Sequence, residues 1–224
     1  MGADSRIDVL TNFFDLQIEN LSNGQIPFSI LEEFELKKYE IIKRASQTVL
    51  SHPNDFSFVL VVPCHCFLSV RDLIQSLDLI EAMNVQQAKI QIQDYFIWRT
   101  KENKKELLID SGIPYCMFDV GWTRFLRGDK TKCVNILEEK GKSCLSFSEG
   151  ISFLRQKGEA IGSELFFYPK DTIITEWGER VVITETINSL DGRVIRFFSR
   201  PIGDLKKQVG GVFWCRERIR LSNL

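Results

Sequence analysis

The hydrophobic period of this chain changes along its length, and that change constrains the fold more than any single motif does. Near the start, apolar side chains recur every three to four positions. Ile7, Leu10, Phe13, Phe14, Ile18 and Leu21 make one stripe, and Leu31, Phe34, Ile41, Ile42, Ala45 and Val49 make a second. That spacing places each set on one face of a helix. From residue 164 onward the signal becomes short runs rich in β-branched and aromatic residues: 164–168, 172–176, 180–187, 194–199 and 211–221. Pro169, Gly178, Asp191-Gly192 and residues 201–203 separate them. Such runs read as strands, with Asp191-Gly192 as a hairpin turn. Helices that come first and strands that come last, without regular alternation, predict an α+β fold. Its expected parts are two N-terminal helices, a mixed middle and an antiparallel β-rich C-terminal half.

Local chemistry sets the expected boundaries. Ser5 and Asp8 suit the start of the first helix, and Asn23-Gly24 suits its end. Pro27 opens a second helix that runs to about Leu50. Residues 56–62, FSFVLVV, are almost continuously apolar and predict a strand buried on both faces, stopped by Pro63. A helix is expected to open near Ser69, a strand or bent pair to occupy 89–98, and the charge run 100–106 to be a solvated turn. A second buried strand is expected over 115–120. Helices follow over 131–140, ended by Gly141, and 146–157, ended by Gly158. No shift in composition divides the chain, so 1–224 is expected as one α+β domain with 1–50 as a helical extension packed on 55–224.

Composition narrows the setting. The net charge is −1, so no whole-molecule field draws the chain toward DNA or an anionic membrane. No run approaches the roughly 18 apolar residues of a membrane span. The first residues lack the basic segment and apolar run of a secretory signal. A soluble cytoplasmic protein with no membrane partner is expected. Its six cysteines are expected to be reduced thiols, because seventeen Phe can build a core without disulfide staples.

Residues 113–153 carry the most distinctive order of features. Pro114-Tyr115-Cys116-Met117-Phe118-Asp119-Val120 is followed, after an insertion, by Arg127-Gly128. Gly141-Lys142-Ser143-Cys144-Leu145-Ser146 and Glu149-Gly150-Ile151 come next. This order resembles the bacterial domain-of-unknown-function family 5701. In that family a strand of the type PYLxxDVxRG precedes a helix, a polar turn and an acidic Glu-Gly helix start. Residues 58–63 and 211–215 resemble its early strand and its late Trp-Cys segment. The resemblance spans about 55–220, departs at 121–126 and lacks a proline after Ser143. It implies an uncharacterised bacterial protein, and it brings no activity and no catalytic residue with it. Physically, Ser146 and Glu149 form a capping-box pattern, each able to satisfy the other's backbone donor. Asp119, near a strand end, is expected to accept from loop amides or to pair with Arg127.

Few residues are arranged for chemistry. Cys64, His65 and Cys66 lie between a strand and a helix start, where a helix N-terminus lowers a thiol's pKa and favours the nucleophilic thiolate. Zinc also takes Cys and His, but Cys-x-Cys is tight and no partner motif supplies the remaining ligands. No metal and no cofactor are therefore expected. The only histidines are His52 and His65, neither in a nucleophile-elbow context, which argues against a Ser-His-Asp or Cys-His hydrolase. Gly210-Gly211 lacks the spacing of a phosphate loop. Arg216, Arg218 and Arg220 alternate, so on a strand they would project from one face with Trp214 as a small anion patch, diluted by Glu217. The expected binding residues are Asp119, Arg127, Arg216, Arg218 and Arg220. The leading expectation is a non-enzymatic binding or interaction module for a protein or small-molecule partner, with nucleic acid disfavoured. The alternative is a thiol- or metal-dependent enzyme centred on Cys64, His65 and Cys66.

Overall fold

The computed structural model of the chain describes residues 3–23, 26–52, 55–62, 89–92, 113–125, 130–157, 164–175, 178–189, 192–201, 203 and 210–224. The helix expected from Ser69 and the segments 95–98 and 100–106 lie outside these residues.

Leu10, Phe14 and Leu21 are buried on the inner side of α1 (Ala3–Asn23), which is already helical ahead of Ser5 and ends where Asn23-Gly24 predicts. The second helical stripe is divided into α2 (Phe28–Leu36) and α3 (Lys38–Gln47), with Lys37 between them at φ −103°, ψ 6°. Both halves still feed one core, through Leu31 and Phe34 on α2 and Ile41, Ile42 and Ala45 on α3. Lys37 Nζ donates to the carbonyl of Leu224 at 3.0 Å. Because α3 stops at Gln47, Val49 is not inward as its spacing predicts; it is 83% exposed.

Among the described residues, eight strands form one mixed sheet. They are β1 (Phe56–Val61), β2 (Lys89–Ile92), β3 (Tyr115–Phe125), β4 (Ser143–Cys144), β5 (Glu164–Thr175), β6 (Gly178–Ser189), β7 (Gly192–Pro201) and β8 (Gly210–Arg220). The order is β1-β3-β8-β5-β6-β7-β2, with β4 added against β8. Most neighbours are antiparallel; β5 with β8 and β2 with β7 are parallel. The fold is α+β. Two strands expected at 164–168 and 172–176 are one, because a bulge between Tyr168 and Thr172 absorbs Pro169 without ending the pairing to β6.

Helices α4 (Lys130–Glu139) and α5 (Phe147–Lys157) pack on the sheet. Gly141, at φ 66°, ends α4 in a Schellman turn: its N–H donates to Glu138 O at 2.9 Å, and Lys142 N–H to Leu137 O at 2.9 Å. The capping box of α5 forms as the sequence predicts. Ser146 N–H donates to Glu149 Oε2 at 2.7 Å and Glu149 N–H to Ser146 Oγ at 3.3 Å, while Asp171 from the β5 bulge accepts from Phe147 N–H.

Alternation along the strands sorts the described interior into three cores. Phe166, Tyr168, Val182, Phe197 and Phe213 face α5. On the opposite side, Phe58, Leu60, Cys116 and Phe118 lie beneath α1–α3. On that side too, Phe167, Ile183, Val212 and Trp214 meet Cys133 and Leu137 of α4. The rings of Phe166 and Phe213 stack with centroids 4.1 Å apart. Such pairs add about 0.5–1.5 kcal/mol beyond the area they bury.

Candidate functional site

In β3, Cys116 and Phe118 belong to the core under α1–α3, but Val120 and Trp122 turn to the core under α5. Strict alternation would put 116, 118 and 120 on one face. The pattern slips by one residue at Asp119. The same slip occurs in β8, where Phe213 and Cys215 face α5 while Ile219 packs on the other side. The register stays constant across it, Phe118 opposite Glu217 and Val120 opposite Cys215. Asp119 absorbs the slip by adopting φ 48°, the one positive φ at a non-glycine among the described residues. Asp is among the few side chains that tolerate this region, because its short polar group can bond locally.

That backbone turn carries the buried carboxylate of Asp119 to the loop after α3. Oδ1 accepts from Ser51 N–H at 3.1 Å, and Oδ2 accepts from Ser51 Oγ at 2.9 Å and Arg216 Nε at 2.9 Å. Arg216 Nη2 also donates to Ser51 Oγ, at 3.1 Å. A second arginine lies alongside. Arg44 of α3 donates through Nε to Glu217 Oε2 at 3.2 Å and through Nη2 to Oε1 at 2.6 Å and Oε2 at 2.7 Å. Together these groups wall an open cleft of about 570 Å³, with Val49, Leu50 and Phe118 as its apolar part.

Lys142 and Asp55 border the same region. The Schellman turn aims Lys142 so that Nζ lies 3.2 Å from the centroid of the Trp214 ring. Burial pulls its ammonium below the ordinary 10.5, aided by Arg216 and opposed by the charges of Asp55 and Asp119. Asp55 packs on Gly121, where a Cβ would press on the Asp55 carboxylate and stand 2.8 Å from the Trp214 ring, so a larger residue would displace one of them. Asp55 Oδ2 is buried without a hydrogen-bond partner among the described residues. Burial raises its carboxyl above the ordinary 3.8, in spite of hydrogen bonding to the His52 backbone and the charges of His52 and Lys142.

Arg218 belongs elsewhere. Its Nε donates to Glu149 Oε1 at 2.6 Å and Nη2 to Oε2 at 3.0 Å, while further donors reach Ser143 Oγ and the Cys144 carbonyl. Tyr115 OH adds a bond to Glu149 Oε1 at 2.7 Å. Burial alone would raise the Glu149 carboxyl; Arg218, the Ser146 amide and Tyr115 together hold it below the ordinary 4.5. This is a closed, buried network at the start of α5, not a binding surface.

The expected one-face patch of Arg216, Arg218 and Arg220 therefore does not form. The slip at Asp119 sends Arg216 to the α3 side and Arg218 to the α5 side, and Arg220 stands opposite Tyr115 in the β3–β8 register. Asp119 does accept from a loop amide, that of Ser51, and its cation is Arg216. Arg127, Cys64, His65 and Cys66 lie outside the described residues. Arg44, Ser51, Asp55, Lys142 and Glu217 escape a sequence reading. Only Ser51 and Asp55 carry a local hint, as polar residues in a loop next to a buried strand.

Cys116 is buried, and burial pushes its thiol well above the ordinary 9.0, which removes it as a thiolate nucleophile. Among the described residues no group of three or more His, Cys, Asp and Glu is placed to hold a metal ion, and no helix is long and apolar enough to cross a membrane. In comparison with known proteins, no family model matches the chain, and neither does any curated protein or solved structure.

Proposed function

We propose that the protein is a non-enzymatic binding module whose ligand occupies the cleft between the loop after α3 and the β3–β8 pair. One observation carries this reading. A left-handed, fully buried aspartate is held in the middle of a long strand, and its carboxylate fixes Ser51 and Arg216 on the wall of a cleft. A non-glycine residue in that region costs on the order of 1–3 kcal/mol and persists only where its surroundings over-determine it, most often at sites of function. The volume, about 570 Å³, falls within the roughly 300–1,000 Å³ that accommodates small molecules. The charged groups of the wall engage one another in opposite-charge pairs, Arg44 with Glu217 and Arg216 with Asp119, an arrangement that holds position rather than one that moves a proton. A bacterial, cytoplasmic setting is part of the same reading; the resemblance to family 5701 and the balanced net charge support it.

A fragment screen read by amide shifts of the isotope-labelled protein tests the proposal. Hits should move the signals of residues 44–51, 118–119 and 216–217. Hits that map only to other surfaces overturn it.

A further inference from the structure

We infer that the ligand of this cleft is a small organic anion gripped by the outer edges of the Arg44 and Arg216 guanidinium groups, an inference that rests on the cleft being the ligand site. A guanidinium presents its donors in a rigid fork, with one pair along the Nε–Nη2 edge and another along the Nη1–Nη2 edge. In Arg216 the Nε–Nη2 edge is taken by Asp119 Oδ2 at 2.9 Å and Ser51 Oγ at 3.1 Å. In Arg44 the same edge is taken by Glu217, at 3.2 Å from Nε and 2.6 Å from Nη2. Both arginines thus keep the Nη1–Nη2 edge clear of partners among the described residues, and both side chains are about half exposed, 51% for Arg216 and 46% for Arg44.

Pinning has a consequence for binding. An arginine held from behind has already lost the rotamer freedom that an exposed one must surrender when a ligand arrives. Two parallel N–H donors on a fixed fork match the spacing of carboxylate and phosphate oxygens, and charge-assisted bonds of this kind are about twice as strong as neutral ones. Asp119 and Glu217 offset the two positive charges, so the cleft recognises an anion by donor geometry rather than by a broad positive field. Val49, Leu50 and Phe118 line the rest together with Gln47 and Thr48, and the three apolar side chains suit an apolar body behind the charged head. Carboxylate and phosphate monoester share this chemistry, and the experiment separates them.

Titration calorimetry of the full chain at low salt, with benzoate, phenyl phosphate and the neutral benzamide, is the test. At least one anion should bind about tenfold or more tightly than benzamide, and its affinity should fall as salt rises. Arg44→Gln should weaken the anion about tenfold and leave benzamide unchanged; Arg44 and Glu217 are both exposed, so the fold survives the change. The double variant Asp119→Asn/Arg216→Gln should do the same without stranding a buried carboxylate. The tighter anion names the class, carboxylate or phosphate monoester. If benzamide binds as well as either anion, the inference falls and the cleft remains a ligand site. If none of the three binds while fragments of other chemistry still shift cleft signals, the inference again falls alone. If nothing shifts those signals, the proposed function falls with it.

Discussion

Asp119 joins backbone and charge in one residue, and substitutions can separate the two. Asp119→Ala removes three hydrogen bonds and leaves a Cβ in the left-handed region. Asp119→Gly removes the same bonds and also relieves the backbone. The alanine variant should lose at least about 1.5–3 kcal/mol, the contribution of a hydrogen bond to a charged group, because the left-handed backbone is common to parent and variant. The glycine variant should be the more stable of the two by about 1 kcal/mol. Urea denaturation measures both, and equal midpoints would mean that the backbone at 119 is not left-handed in solution. Asp55 and Glu149 supply a pair of opposite sign. Burial lifts Asp55 above 3.8 in the folded state, so its contribution is full below the unfolded value and is lost as pH rises through the folded one. Asp55→Asn should therefore gain on the parent protein as pH rises. Glu149 is held below 4.5, so its contribution is present above the unfolded value and is lost as pH falls through the folded one. Glu149→Gln should be destabilised at neutral pH, with a deficit that shrinks on acidification. Urea midpoints between about pH 3 and 7 show both slopes, and parallel curves for variant and parent would refute the assignments.

At the scale of elements, the edge of β1 shows how α1 is tied to the sheet. Gln17, fully buried on α1, accepts from Leu60 N–H at 2.8 Å and donates to Phe58 O at 3.4 Å. A side-chain amide thus stands where a neighbouring strand's peptide group would, and it covers an edge that would otherwise offer itself for aggregation. Gln17→Leu fits the space but leaves both backbone groups buried and unpaired, at about 1–3 kcal/mol each. Exchange of the Leu60 amide should quicken along with the global loss; unchanged exchange would mean that the edge is covered by something else. The same scale shows what the sequence could and could not reveal. Boundaries written in local chemistry were legible: Gly141 ends α4, Ser146 and Glu149 cap α5, and β8 runs over 210–220 against an expected 211–221. Asp119 was also legible, as a carboxylate near the end of an apolar run. The alternating arginines predict one face because period-two spacing assumes an unbroken pleat, and the slip at Asp119 breaks it. Arg44 and Glu217 are 173 positions apart, and their meeting depends on how α3 lies across the sheet, which no local pattern encodes.

For the molecule as a whole, the first fifty residues can stand either as an extension or as part of one stable unit. The packing favours the second. Phe58, Leu60, Cys116 and Phe118 share one core with the buried side chains of α1–α3, with Leu221 beside them. Gln17 completes the β1 edge, and Asn20 Nδ2 reaches across it to Gln156 Oε1 of α5 at 3.0 Å, so α1 is bonded both to the sheet and to the helix on the sheet's other face. A fully buried Phe or Leu contributes about 1.5–3 kcal/mol, and exposing four or more such side chains would erase a net stability of about 5–15 kcal/mol. Deleting residues 1–50 should therefore give a chain that binds hydrophobic dyes and aggregates instead of a folded monomer. The intact chain should unfold in a single transition, with far-ultraviolet circular dichroism and tryptophan fluorescence coincident. Two separated transitions, or a truncated chain that stays monomeric with ordered aromatic signals, would make the helices a dispensable addition. In that event the wall that Arg44 contributes to the cleft would be an accessory to a site built mainly by β3 and β8.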